Sequence, residues 1–255
     1  MKKINPIDPK DIGTVKHAMK LDRVTVTGAD DTTAISEMIR LSNRFPFVEW
    51  GILVSASREN RNRFPSHRWI DDLFAITKNY PEMKFSCHVC GRWVREICLE
   101  GKIDPVLEQL WSHFQRIQLN FRSIVHKLDR NLFISSLSVF SDKQFIFQLD
   151  NINNEILDVA QSAGIDAVPL FDTSGGIGML PLEWPDIRDK KGYYGYAGGL
   201  SPENLFDQLE RIERVTGDNN IWIDAETYLR TNNGTIFDLG RVSTFLGVAR
   251  GFTRT

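Results

Sequence analysis

Eight short β-rich runs, helical signals in the gaps between them, and a length that one such unit fills predict an α/β fold: a (β/α)8 TIM barrel with a short N-terminal extension. The runs are RVTVTG (23–28), VEWGILVS (48–55), MKFSCHVCG (83–91), RIQLNF (116–121), QFIFQLD (144–150), DAVPLFD (166–172), GYYGYAGG (192–199) and NIWIDAE (220–226). They recur roughly every 20–35 residues, room for a strand plus a crossover helix. Eight parallel units within 255 residues favour closure over an open sheet. No segment rich in Gly, Pro or Ser divides the chain. Residues 1–22 are therefore read as an added segment, and 23–255 as a single barrel domain.

The gaps carry helices in turn. Between the first two runs, Ile35, Met38, Ile39 and Leu41 are apolar at helical spacing, and Asp30 and Asp31 read as cap candidates. After the second, Ser66 caps a helix carrying Ile70, Leu73, Phe74 and Ile76. After the seventh, Ser201-Pro202-Glu203-Asn204 reads as a helix start with Ser201 as cap and Pro202 in the first turn, followed by Leu205, Leu209 and Ile212. The stretch 122–143 is ambiguous, since its apolar pattern fits a strand or a buried helix equally. Trp50, Trp69, Trp93 and Trp111 are assigned to packing between strands and helices, whereas Tyr196, just before Gly198, is expected to face the barrel mouth.

Composition narrows the role. With 31 Lys and Arg against 33 Asp and Glu, the net charge is −2, and no basic face for nucleic acid is expected. No apolar run reaches membrane-spanning length, and the start of the chain lacks the apolar core of a signal peptide. Three cysteines do not make a disulfide framework. The expectation is a cytoplasmic protein, monomer or homodimer, acting on a small molecule without cofactor or metal.

Chemistry in such a barrel sits at the C-terminal ends of the strands. Those positions are polar here: Thr27-Gly28, Ser55, His88 to Cys90, Gln118, Asn120, Gln148, Asp150, Asp172, Gly198-Gly199, and Asp224 to Glu226. Two glycine-rich loops, Gly175-Gly176-Ile177-Gly178 and Ala197-Gly198-Gly199-Leu200, can let backbone approach a ligand and present N–H groups to an anion.

These segments resemble phosphoribosylanthranilate isomerase, a (β/α)8 enzyme family of tryptophan biosynthesis. The similarity runs over Val24–Gly28, Gly51–Ser55 with Arg61–Ser66, Leu170–Thr173, Gly175–Gly178 with Glu183-Trp184, and Asp224 with 234–246. Its most specific part is Ala197-Gly198-Gly199-Leu200-Ser201-Pro202-Glu203-Asn204. The resemblance implies an Amadori isomerisation of an aldose to a ketose on a sugar phosphate. It implies Asp172 as the acid, Arg63 as a ligand-binding arginine, and the glycine loops with Asp224 around the substrate.

Two departures stand out. The family's catalytic base is a cysteine at the position of Thr27, and a hydroxyl is far too weak a base without a neighbour to deprotonate it. His88 or Cys90 is the candidate replacement. Where the family has a Ser-Ser-Gly phosphate loop, this chain has Glu226-Thr227-Tyr228, and a carboxylate there repels phosphate. The candidate catalytic residues are thus Asp172, Thr27 and His88. The candidate substrate-binding residues are Arg63, Gly175, Gly176, Gly198, Gly199, Asp224 and Glu226. Two alternatives remain: a catalytically silent barrel that binds a small molecule or a partner, and a metal-dependent lyase or hydrolase using Glu49, Asp150, Asp172, Asp224, Glu226 and His88.

Overall fold

A computed structural model describes residues 19–120, 127–149, 154–172, 178–231 and 233–253. Eight parallel strands close into a barrel in the order of the sequence. They are β1 (Lys20–Thr27), β2 (Val48–Val54), β3 (Lys84–Val89), β4 (Arg116–Leu119), β5 (Gln144–Leu149), β6 (Ala167–Phe171), β7 (Tyr193–Ala197) and β8 (Asn220–Ala225). All eight expected strands are present. β1 opens at Lys20 instead of Arg23, and residues 1–18 of the expected extension lie outside the described residues.

The helices are α1 (Ile35–Arg44), α2 (His67–Thr77), α3 (Arg92–Glu100), α4 (Pro105–Trp111), α5 (Arg130–Ser138), α6 (Asn154–Ser162), α7 (Leu205–Thr216) and α8 (Leu239–Ala249). None of the helices among the described residues is long and apolar enough to cross a membrane. Ser66 caps α2 as expected, its hydroxyl accepting from Trp69 N–H. Asp104 and Asp129 cap α4 and α5 in the same way, and the described part of the ambiguous stretch carries helix α5 with Phe133 and Leu137 buried. Asp30, Asp31 and Ser201 are not helix caps. α1 begins after Ala34 with no side-chain cap. α7 begins at Leu205, behind a turn in which Asn204 Oδ1 accepts from Ser201 N–H. The aspartates instead serve other loops, Asp31 receiving both the N–H and the hydroxyl of Ser66.

Alternation along the strands sends one set of side chains outward to the helices and the other into the barrel. Trp50, Trp69, Trp93 and Trp111 are all buried, as assigned. Among the described residues no helix separates β6 from β7. Trp184 and Ile187 of that connection are buried instead, and Trp184 packs edge-on against Tyr196, their ring centroids 5.7 Å apart. Tyr196 therefore points away from the mouth, its hydroxyl donating to Pro185 O. The alternation explains this, because its neighbours Gly195 and Ala197 take the inward positions.

The barrel interior is divided. On the β5–β8 side Ile146, Val168, Leu170, Ala197 and Trp222 form an apolar cluster. Gly195 is required there, since a Cβ would lie 2.4 Å from the Trp222 indole. On the β1–β4 side the lower layer is ionic. Glu49 accepts from Arg23 and Arg116 at 2.7 Å each and from Thr25 at 2.8 Å. Burial opposes the Glu49 charge, but Arg116 and Arg23 outweigh it and hold the carboxyl below its ordinary value. Arg116 also lies over the Trp222 ring, 4.5 Å from its centroid.

Candidate active site

The mouth at the C-terminal ends of the strands encloses about 570 Å³, open space at its rim included. His88, Gln118, Gln148, Asp172, Asp224 and Glu226 line it, with Gly198, Gly199 and Tyr228. Strand ends bring these residues together from β3, β4, β5, β6, β7 and β8, as the barrel geometry requires.

Its floor is set by Gly51 of β2. A Cβ there would meet Thr27 Oγ1 at 2.2 Å and His88 Cε1 at 3.1 Å, so only glycine lets these two side chains share that level. Thr27 Oγ1 donates to Asp224 Oδ1 at 2.8 Å. His88 Nδ1 lies 4.0 Å from Asp224 Oδ2, while Nε2 is 3.1 Å from Ser86 Oγ. Burial drives the two titrations apart. Asp224 is pushed up to about 8, by desolvation first and then by Glu226, Asp172 and Glu49, against the Thr27 hydrogen bond. His88 is pushed down to about 4, by desolvation first, with Arg116 adding to it and Glu49 opposing. At pH 7 this wall presents a protonated carboxyl and a neutral imidazole. Asp172 of the β6 end faces the same space and accepts from Gln148 Nε2 at 3.3 Å.

The cysteines are not bases. Cys90 receives a hydrogen bond from Asn120 Nδ2, and burial raises its thiol to about 11. Cys98 is raised by burial to about 12, and Cys87 is raised and fully buried. None of the three supplies a thiolate at neutral pH.

Arg63 and Glu226 form an ion pair at the rim, Arg63 Nη1 donating to Glu226 Oε1 at 2.5 Å. Burial raises the Glu226 carboxyl, although Arg63 pulls the other way. Arg63 adopts φ 67°, a left-handed conformation costly for a side chain with a Cβ, and its N–H is held by Asp30 Oδ2 at 3.0 Å. Asp30 is fixed in turn by Arg230, whose side chain is fully buried. Arg230 also donates to Gly28 O, Asn62 Oδ1, Gly234 O and Thr235 O. This arginine ties the loops after β1, β2 and β8 into one frame. Nothing in the sequence pattern singled it out, since the loops meet only through the barrel's closure.

Gly198 and Gly199 are at the mouth with φ of 110° and 68°. The flank of Gly199 is filled by the chain itself, where a Cβ would meet Leu180 N at 2.4 Å. Gly175 and Gly176 lie outside the described residues, as does Asp150. Glu49 does not belong to the mouth. It is the second residue of its strand, at the opposite end from the site, and is consumed by two arginines. The acidic set expected for a metal therefore loses a member, and the described residues hold no group of three or more His, Cys, Asp or Glu that could hold a metal ion.

The fold and site define a (β/α)8 barrel whose mouth pairs a protonated aspartate with a neutral histidine. Among solved structures the chain is similar to a monomeric form of phosphoribosylanthranilate isomerase from Thermotoga maritima, with TM-score 0.53 and 14% identity over 91% of this chain and 100% of that one. It is also similar to two structures of 3-deoxy-D-arabino-heptulosonate 7-phosphate synthase from the same organism. The truncated form has TM-score 0.54 at 7% identity, covering 92% and 87% of the two chains. The other has TM-score 0.55 at 8% identity, covering 96% and 72%. Identities this low show the barrel alone. No protein-family model and no curated protein matches the chain.

Proposed function

We propose that this barrel catalyses acid–base isomerisation of a small polyhydroxylated substrate, an aldose or aminoaldose, at its mouth. The observation that carries the reading is Asp224, a carboxyl that keeps its proton to about pH 8 while facing a cavity lined by further proton-transfer groups. In such an isomerisation an acid protonates the ring oxygen as its bond to C1 opens. A base then removes the proton at C2 to give an enediol or enaminol, which takes a proton at C1 and loses that on O2 to become the ketose or aminoketose.

Asp224 takes the acid role and Asp172 the base role from a neighbouring wall. Thr27 orients Asp224 through its hydroxyl instead of acting as base. His88, neutral at pH 7, is placed beside Asp224 to hydrogen-bond the reacting oxygens. The roles thus shift relative to those the family resemblance implies, which gave the acid to Asp172. Gln118 and Gln148 supply amide groups suited to hydroxyls.

The test is C2 proton exchange. A panel of aldoses and aminoaldoses is incubated with the protein in deuterated water and followed by NMR. Wild type is expected to incorporate deuterium at C2, and Asp224→Asn to lose about 10²–10⁴-fold in rate. Absence of exchange across the panel, or an unchanged rate in the variant, overturns the reading.

A further inference from the structure

We propose that Arg63 and Glu226 are the specificity determinant of the mouth: the pair admits an uncharged polyhydroxylated ligand and excludes its phosphate ester. The inference rests on the mouth being the substrate pocket, and it adds which substrates that pocket takes. Arg63 meets the mouth through Glu226, a lining residue to which its guanidinium is bonded. It is not a loosely held surface arginine. The left-handed backbone at Arg63, the Asp30 bond to its N–H, and Arg230 beneath aim it at that carboxylate.

The described lining of the mouth contains Asp172, Asp224 and Glu226 and no lysine or arginine. A phosphate dianion entering there meets carboxyl groups and finds the Arg63 guanidinium already bonded to Glu226. An uncharged polyol does not meet this charge barrier and can use the amides of Gln118 and Gln148 and the carboxyls as hydrogen-bond partners.

Inorganic phosphate is the probe, titrated calorimetrically at low ionic strength into wild type, Glu226→Gln, Glu226→Ser, and Glu226→Gln combined with Arg63→Gln. Wild type is expected to bind phosphate at least about tenfold more weakly than Glu226→Gln, the scale of one freed charge-assisted contact. The double variant is expected to lose that gain. Glu226→Ser gives the same readout should the glutamine variant fail to fold. Equal phosphate affinity in wild type and the Glu226 variants overturns the proposal, and so does a gain that survives removal of Arg63. Phosphate binding is measured without turnover, so failure of the isomerase reading leaves this result interpretable.

Discussion

Thr27 of β1 donates its hydroxyl to Asp224 of β8 at 2.8 Å, closing the seam between first and last strand at the level of the site. The bond favours the ionised carboxyl, so it restrains a pKa that burial raises. Thr27→Val keeps the shape and removes the donor. Its expected effect is to raise the Asp224 titration above the wild-type value of about 8, by roughly one unit on the scale of a lost hydrogen bond to a charged group. Carbon-detected NMR titration of the labelled carboxyl reads this directly. A titration that stays put, or falls, would mean that Thr27 does not restrain Asp224.

The same shift has a consequence for stability. In the unfolded chain Asp224 titrates near 3.8 and in the fold near 8, so between these values the folded protein binds the extra proton. Its contribution to stability is fully present below pH 4 and is lost as pH rises toward 8. His88 acts in the opposite sense, because its pKa falls from 6.5 to about 4 and the unfolded chain binds the extra proton there. The two effects oppose each other between about pH 4 and 6.5, and only Asp224 acts between 6.5 and 8. Within that upper window the stability of wild type relative to Asp224→Asn is expected to fall by about 1 kcal/mol per pH unit. Urea denaturation at several pH values measures the difference, and a flat line contradicts a buried, protonated Asp224.

How far the sequence reached depends on the kind of interaction. Each strand was legible because inward and outward residues are both buried, which makes the strands near-continuous apolar runs. The inward positions of His88, Asp172 and Asp224 followed from their places at strand ends. Glu49 does not reach the mouth, and its position was readable, since it stands second in its strand whereas Asp224 is second from the end of its own. Tyr196 lies near Gly198 in sequence, but its alternation with Gly195 and Ala197 sets its direction, outward to Pro185. Asp30 looked like a cap, and its local bonds to Thr32 fit that reading, but its charged partner Arg230 follows β8 and is brought to it only by closure of the barrel. The left-handed backbone at Arg63 had no signal either, as arginine is not a residue from which such a conformation is read.

Arg230 offers the sharpest test of the rim. Its guanidinium is buried and bonded to Asp30, Asn62 and the carbonyls of Gly28, Gly234 and Thr235, so it holds three loops at once. Asp30 titrates below its ordinary value. Burial opposes its charge, and bonds from Thr32, Arg63 and Arg230 outweigh that. Arg230→Met fills much of the volume but leaves the Asp30 carboxylate short of a cation. The expected cost is about 3 kcal/mol, the low end for breaking a buried pair, because Thr32 and Arg63 still donate to Asp30. Arg230→Lys is expected to recover little of this, since one ammonium cannot reach partners spread over three loops. The partner variant, Asp30→Asn, completes a double-mutant cycle whose coupling should exceed about 1 kcal/mol. Denaturant unfolding of the four proteins supplies the cycle. A loss under about 1 kcal/mol in Arg230→Met, together with negligible coupling, would show that the rim is held by packing and not by this arginine.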